Sequence, residues 1–350
     1  MNDSARLTEA DLALVEALQV APRAPWSAVA EATSTSPVTA ARRWRRLEER
    51  GAAWVAGVPG VSLWDAHCLA YVFVRCSPGR NLAVAQQLAG DAHTLSIDHT
   101  AGAFDLFVTV AAADLGALYR YLLHRIDLMP GVTETHTRIC THLYRDGSHW
   151  RLGTLPRQSA SRLASASARP TATSATPWHE EDSRILVQLG LDGRASYATL
   201  ASAAGISETS ARRRLTSLVN AGAVVLRAEV AAHLVGWGVQ VMLSVDAPSA
   251  RLSEAATAIA RLRQVRLCAT LAGTPALVVA VWLHNIESIH DFETTLVRAV
   301  PEVTITERLV ALRTVKRMGR LLDEQGCAIG AVPMDVWADP APAATPAGRS

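Results

Sequence analysis

The chain contains the same pattern twice. Residues 11–55 can be laid on residues 182–226 without a gap at a constant offset of 171. Thirteen positions are then identical, among them Ala40/Ala211, Arg42/Arg213, Arg43/Arg214, Leu47/Leu218 and Gly51/Gly222. The same offset aligns Ala101-Gly102 with Ala272-Gly273, Leu106 with Leu277, Pro130 with Pro301 and Thr133 with Thr304. A chain of 350 residues with this period is a tandem duplication of one composite unit, and each copy is long enough to bury its own core.

Hydrophobic spacing divides each unit again. The first opens with a potential capping box at Thr8 and Asp11, before a helix whose Leu14, Val15 and Leu18 share a face; Ile185, Leu186 and Leu189 repeat it. Short Ala-rich segments follow at 27–33 and 198–204. A turn then leads to Ser36 or Ser207, each suited to N-cap a third helix. There Ala40, Trp44 and Leu47, matched by Ala211, Leu215 and Leu218, fall at i, i+4 and i+7, and Gly51 or Gly222 ends the helix. The runs 52–58 and 223–230 are β-like and suit a wing or a connecting strand.

The rest of the first unit alternates: strand 69–75, helix 82–88, strands 94–99 and 104–110, helix 114–128, strand 132–143. In the second unit 240–245, 251–262, 265–271, 277–283, 286–299 and 303–312 repeat that βαββαβ order. Leu115, Leu118, Tyr119, Leu122, Leu123 and Ile126 form a stripe at helical spacing, as expected of a helix packed on a sheet. The expected fold class is α+β, with two tandem units, each a helix-turn-helix head followed by a ferredoxin-like βαββαβ domain. The expected domains are heads at 1–60 and 178–230 and ferredoxin-like domains at 61–150 and 231–320. A flexible linker at 151–177 and a C-terminal tail at 321–350 complete them. The linker carries a Ser/Ala/Thr-rich stretch without aromatic residues at 156–177, and 339–350 has nothing to bury.

The outer face of the third helix decides the function. At about 100° per residue from Ala40, the side away from the core carries Val38, Arg42, Arg45 and Arg46, with Thr39 and Arg43 on the flank. Arginine there can reach guanine O6 and N7 or phosphate oxygens, and Val38 a thymine methyl. The second copy presents Thr209, Ser210, Arg213, Thr216 and Ser217, with Arg214 on the flank as the DNA-contact counterpart of Arg43. Arginine alone is weak evidence, because Lys316 is the only lysine among 34 basic residues, and Arg45 and Arg46 also suit ion pairs with Glu48 and Glu49. A Ser cap with the same Arg behind it in both copies favours DNA contact. Glu208, in a first helical turn, reads better as a helix-dipole partner than as a contact to cytosine.

The segment Ser36-Pro-Val-Thr-Ala-Ala-Arg-Arg-Trp-Arg-Arg-Leu-Glu-Glu-Arg-Gly51 resembles the recognition helix of the Lrp/AsnC, or feast/famine, transcriptional regulators. The βαββαβ pattern behind it resembles that family's effector-binding and oligomerising RAM domain. The resemblance implies a sequence-specific regulator of double-stranded DNA that forms homo-oligomers through its sheets and senses a small molecule, commonly an amino acid. The family's loop G-x-[FY]-D stands here as Gly102-Ala103-Phe104-Asp105, which makes Gly102, Phe104 and Asp105 the effector-binding candidates. A tight hairpin turn explains Gly102 and Gly273 equally, and Asp105 also suits a turn-stabilising side chain. The second copy reads Gly273-Thr274-Pro275-Ala276 and lacks the Asp. Since most members carry one unit per chain, the fusion implies a pseudo-dimer with unlike recognition helices and an asymmetric operator.

An enzyme alternative exists, because siroheme decarboxylases of haem biosynthesis resemble this family in fold. Their His-Asn-Tyr segment is absent: residues 96–100 read Ser-Ile-Asp-His-Thr, and the second copy lacks even the His. His136, Cys140 and His142 share one face of a strand but suggest no fourth ligand, so they read as sheet-surface residues. No catalytic residues, metal or cofactor are expected. Five cysteines without a C-x-x-C pair, no apolar run of 18 residues and a net charge of +2 fit a cytoplasmic protein that does not enter membranes.

Overall fold

The computed structural model describes residues 7–64, 67–165 and 177–340. The first unit runs α1 (Glu9–Val20), α2 (Trp26–Ala32), α3 (Pro37–Glu49), β1 (Ala53–Pro59), β2 (Cys68–Cys76), α4 (Asn81–Ala89), β3 (Thr94–Ala101), β4 (Leu106–Ala112), α5 (Leu115–Tyr121), β5 (Val132–Arg145) and α6 (Arg157–Ser165). The second repeats it as α7 (Glu180–Leu191), α8 (Tyr197–Ala204), α9 (Glu208–Asn220), β6 (Val224–Val230), β7 (Val239–Asp246), α10 (Leu252–Ala260), β8 (Val265–Leu271), β9 (Leu277–Leu283), α11 (Ser288–Ala299) and β10 (Thr304–Arg317). A short hairpin follows, β11 (Arg320–Leu322) and β12 (Ala328–Ala331).

The heads form as their sequence directs. Thr8 Oγ1 accepts from Asp11 N while Asp11 Oδ2 accepts from Thr8 N, closing the capping box on α1. Ser36 and Ser207 accept from Thr39 N and Ser210 N at the starts of α3 and α9, contacts each worth about 1 kcal/mol. Ala40, Trp44 and Leu47, and likewise Ala211, Leu215 and Leu218, are buried.

The β-like runs after the heads are not separate wings. β1 and β6 pair with each other, antiparallel, from Ala53↔Val230 to Pro59↔Val224. One face of this ribbon, with Ala53, Val55, Ala228 and Val230, joins the core of the first head. The other carries Trp54, Ala56, Val58, Val225, Arg227 and Glu229, since alternate residues of a strand point to opposite sides. Because Ala56 and Arg227 are equivalent residues and pair directly, the pseudo-twofold axis of the molecule passes between them.

The two ferredoxin-like sheets also join. Within each unit the spatial order is second, third, first, fourth strand: β3-β4-β2-β5 and β8-β9-β7-β10. The fourth strand of each copy is 14 residues long and serves both sheets. β5 pairs with β2 as far as Ile139, then from Cys140 with β8. β10 pairs with β7 as far as Ala311 and overlaps from Val310 with β3. The registers are reciprocal: His142↔Thr270 is matched by Arg313↔His99, and Leu143↔Ala269 by Thr314↔Asp98. Eight strands therefore close into one ring. Helices α4 and α5 cover one outer face and α10 and α11 the other, while Tyr71, Phe73, Phe107, Met242 and Val278 fill the space between the sheets.

Several expectations need correction. The linker expected at 151–177 is packed as far as Ser165: Trp150, Leu152, Leu155 and Leu163 are buried in the first head's core, and Glu16 accepts from Leu155 N. These four apolar side chains have enough surface to bury that a Ser/Ala-rich background does not keep the segment free. The rest of that stretch, 166–176, lies outside the described residues. The tail expected at 321–350 also folds back, through β11 and β12, to Met334 and Val336 in the inter-sheet core. Trp337 stacks on Trp178 at 4.9 Å. Gly51, at φ +62°, is needed twice over, as a left-handed helix end and because a Cβ there would sit 2.1 Å from Ala328 O. Residues 341–350 of that tail are outside the described set. The stripe expected along one helix at 114–128 runs through α5 and the wider turn after it, Leu122–Ile126, and is only half used: Leu118 and Ile126 are buried, while Leu115, Tyr119 and Leu123 face outward.

Candidate nucleic-acid interface and ligand cavity

Val38, Arg42, Arg45 and Arg46 all stand exposed on one side of α3, and Val38 is 77% accessible. Thr39 sits in the capped first turn. On α9 the exposed set is Glu208, Thr209, Arg212, Arg213 and Thr216, with Ser210 at the cap. Arg212, which lies over the Tyr197 ring at 4.5 Å, is an exposed guanidinium that the angular reading passed over, because its counterpart Ala41 is not basic. The two faces thus keep the shape found in the sequence and differ in charge.

Arg43 and Arg214 do not belong to that surface. Arg43 Nη1 lies 3.2 Å from Asp11 Oδ1, and Arg214 Nε donates to Asp182 Oδ1 at 2.8 Å. Each ties the recognition helix to the first helix of its own head. Asp182 is fully buried and also caps α7 through His179 N at 2.8 Å. Burial raises the Asp11 carboxyl, but the hydrogen bonds from Thr8 and Arg43 outweigh it and hold the group below its ordinary range.

The Gly loop is also engaged from within. Gly102, at φ +147°, lies against the other unit, where a Cβ would come 2.4 Å from Leu309 Cδ2. Phe104 is nearly buried, 5.6 Å from the Phe73 ring and 5.0 Å from that of His136. Asp105 Oδ2 accepts from Cys76 N at 2.7 Å. In the second copy the bond is kept with its parts exchanged: Asp246, next to the equivalent of Cys76, accepts from Ala276 N at 2.8 Å. The missing Asp at 276 therefore leaves the loop anchored. His136 bonds Glu134 at 2.8 Å, and among the described residues no cluster of three or more His, Cys, Asp or Glu could hold a metal ion.

A cavity of about 130 Å³ lies between the two sheets, a place that helix and strand periodicity do not mark. Its walls include Tyr71, Phe107 and Leu143 together with Asp98, Arg227, Arg266, Gln240, Trp282 and Arg317. Buried Glu229 accepts from Arg266 Nη2 through both carboxylate oxygens, at 3.1 and 3.0 Å, and from Arg227. Burial opposes ionisation of Glu229, yet Arg227, Arg266 and Arg317 together hold its carboxyl below the ordinary range. Burial pushes Arg266 down to about 9 despite Glu229, with Arg227 and Arg317 adding to the fall. Asp98 shifts the other way. Burial raises it against the hydrogen bonds of Thr314 and Gln240 and the charge of Arg317. Arg266 and Arg317 stand over the Trp282 ring at 3.7 and 4.9 Å. Gly147 completes the wall: a Cβ there would meet the Arg227 and Arg266 guanidiniums at 2.1 and 2.8 Å. His99, the residue retained at the enzyme-like segment, is not part of this lining.

Fold and faces together are those of a helix-turn-helix protein with sheet domains for small molecules, and the family comparisons agree. The AsnC-type helix-turn-helix domain matches residues 7–48 and 180–219, and the Lrp/AsnC ligand binding domain matches 69–149 and 239–321. The chain belongs to the Lrp/AsnC family of transcriptional regulators, as a tandem of two units. It is 25% identical over 141 residues to an uncharacterized HTH-type transcriptional regulator of Pyrococcus furiosus, covering 40% of this chain and 95% of that one. It is 29% identical over 143 residues to the proline dehydrogenase transcriptional activator of Rhizobium radiobacter, covering 39% and 91%. Each relative thus has the length of one unit. Among solved structures, the siroheme decarboxylase NirDL superimposes over 89% of this chain and 93% of its own, with a TM-score of 0.55 and 15% identity, a likeness of fold alone. Among the described residues no helix is long and apolar enough to cross a membrane.

Proposed function

We propose that one chain is a complete, unsymmetrical DNA-reading dimer that acts in the cytoplasm on an operator with two unlike half-sites. The observation that carries this is the junction between the copies. Paired β1 and β6 and the reciprocal strand exchange bind the two units into one body, whereas α3 and α9 present different side chains. Arg42, Arg45 and Arg46, with Val38 and Thr39, read one half-site; Arg213, Thr209 and Ser210 read the other, with Arg212 beside them. Arg43 and Arg214 support these helices from behind.

The sheet domains take a small-molecule effector, and an amino acid at the first copy's loop of Gly102, Phe104 and Asp105 is the proposed ligand there. Chains associate further into homo-oligomers, for which the outward Leu115 and Tyr119 of α5 and Leu123 just beyond it offer an apolar contact. The protein is a regulator and not an enzyme. A siroheme decarboxylase reading rests on the whole-chain likeness of fold; conversion of siroheme by the purified protein would establish it. The regulator reading is tested by gel shift of the full chain on its own promoter region against random DNA over a salt series. A salt-sensitive preference for the promoter is expected. Equal affinity for both sinks it.

A further inference from the structure

The inter-sheet cavity sits where a symmetric dimer would have matched walls, and its walls do not match. At the offset of 171, Arg227 stands opposite Ala56, Glu229 opposite Val58, Gln240 opposite Leu69, Arg266 opposite Leu95 and Trp282 opposite Ala111. One wall carries the guanidiniums of Arg227, Arg266 and Arg317 and the Trp282 indole; the other carries Leu69, Leu95, Tyr71 and Phe107 with the carboxylates of Asp98 and Asp146. Packing does not require the charges, because the same fold accepts Ala56 and Leu95 at the equivalent places. Burying them costs several kcal/mol per ion before pairing.

The pairing inside the cavity is uneven. Glu229 is held by Arg227 and Arg266, and Asp146 by Ser148 and His149. Asp98 accepts from Thr314 and Gln240. Arg317, by contrast, donates to neutral acceptors, Gln240 Oε1 and Thr314 Oγ1, each at 3.1 Å. Two polar atoms of the lining residues are buried without a partner, the Arg227 Nε–H and the Tyr71 hydroxyl. The cavity therefore has donors to spare, while each carboxylate of its described lining is already bonded, so a fitting occupant accepts hydrogen bonds. An ammonium group would find as acceptors only the Tyr71 hydroxyl and oxygens that already hold a donor.

We propose that this cavity binds a small organic monocarboxylate with an apolar body. Arg317 and Arg227 take the carboxylate, the Tyr71 hydroxyl donates to it, and the body lies against Phe107 and Trp282. At about 130 Å³ the cavity is a little smaller than the dry cavity of about 150 Å³ that holds one benzene, so the body is no larger than a single ring or a short branched aliphatic chain. The site is distinct from the Gly loop and needs no second chain. It exists because the copies are fused: a homodimer would carry every guanidinium twice, facing itself across the axis.

The test is calorimetric titration of the full chain, without DNA, with benzoate and 3-methylbutanoate, and with benzylamine as the cation of similar shape. Saturable binding of at least one carboxylate and none of benzylamine is expected. Arg317→Gln should weaken it at least tenfold and Tyr71→Phe severalfold, while Asp105→Asn in the Gly loop leaves it within twofold. Tyr71→Phe removes only an unpartnered hydroxyl, so its thermal melt should stay intact and it decides the matter if Arg317→Gln does not fold. Failure of both carboxylates to bind overturns the proposal. Equal binding of benzylamine, or loss on Asp105→Asn with Tyr71→Phe unaffected, does so as well. Since DNA is absent, the outcome is independent of whether the protein finds its operator.

Discussion

Arg23 and Arg194, equivalent residues of the two units, each bind the backbone on either side of the other. Arg23 donates to Gly193 O at 2.9 Å and Ala195 O at 2.8 Å, while Arg194 donates to Pro22 O at 2.5 Å and Ala24 O at 3.0 Å. Their guanidiniums also lie over equivalent rings, Arg194 over Trp26 at 4.3 Å and Arg23 over Tyr197 at 5.1 Å. This clasp lies just ahead of the second helix of each head, where it joins the paired β1 and β6 in holding the two heads against each other.

Removing the clasp should therefore alter geometry before it alters the fold. Hydrogen bonds from a charged donor are worth about 1.5–3 kcal/mol each. The double variant Arg23→Ala/Arg194→Ala is expected to melt lower yet remain folded. On operators with one to three base pairs inserted between the half-sites, wild type should lose most of its affinity, while the double variant loses little. A variant as strict about spacing as wild type would show that the ribbon, not the clasp, sets the distance.

The arginines of α3 should separate into three behaviours. Arg42→Ala is expected to weaken operator binding by about 1–3 kcal/mol and relax base preference at one position. Arg45→Ala and Arg46→Ala should each lower the salt slope by about 0.9, the share of a single neutralised phosphate. Arg43→Ala should leave that slope alone and lower the melting temperature of the first head. The effect is larger in the second head, where Arg214→Ala leaves fully buried Asp182 without its cation, a loss of about 3–5 kcal/mol. Salt-dependent gel shifts beside thermal melts distinguish the three.

How much of this was legible in the sequence depends on the range of the interaction. The head helices and the βαββαβ order follow from local period and capping residues, which is why Ala40, Trp44 and Leu47 are buried as expected. The Asp11–Arg43 pair was legible as well. Both residues recur as Asp182 and Arg214, and a pair retained together in two copies points to a contact; helical angle alone placed Arg43 toward DNA. Closure of the ring could not be read, because β5 and β10 choose their second partners 129 and 216 residues away, as Thr141–Thr270 and Thr314–Asp98 show. The cavity had left a sign in the copies: charged residues at inward strand positions where the other copy is aliphatic. Differences between copies look like losses in the second unit, and that hid the gain.

Lys316 gives a pH signature. Its side chain is fully buried and Nζ donates to Asp91 O at 2.8 Å. Its equivalent, Arg145, makes the same bond to Leu262 O, so each fourth strand bolts the other unit's sheet. Burial pushes the Lys316 ammonium down to about 7, against the pull of Asp91. The folded value lies below the unfolded one of 10.5, so between them the unfolded chain binds more protons and stability rises with pH. The contribution is complete only above 10.5 and is lost as pH falls toward 7. Urea titrations from about pH 7 to 8.5 should show wild type gaining up to about 1.4 kcal/mol per pH unit relative to Lys316→Met. Parallel curves would show that the amine is as easily charged in the folded protein as in the unfolded chain.

The last prediction concerns the axis itself. Ala56 and Arg227 are equivalent and directly paired, so a symmetric protein would have to place two like residues against each other there. Side chains of such a pair lie on the same face within about 4.5–5.5 Å at Cβ, where like charges repel. Ala56 is 1% exposed and packs with Trp54 and Leu322. Ala56→Arg, which restores symmetry, should bring a guanidinium beside Arg227 with Glu229 already occupied, and the equivalent of that carboxylate in the first copy is Val58. Destabilisation of about 3 kcal/mol or more is expected, as for a buried charge without a partner. Adding Val58→Glu should recover part of it by supplying the missing carboxylate, and chemical denaturation of both variants measures the recovery. If the double variant is no more stable than Ala56→Arg, the charges at the ribbon are not a paired set, and the fusion did not free this position from symmetry.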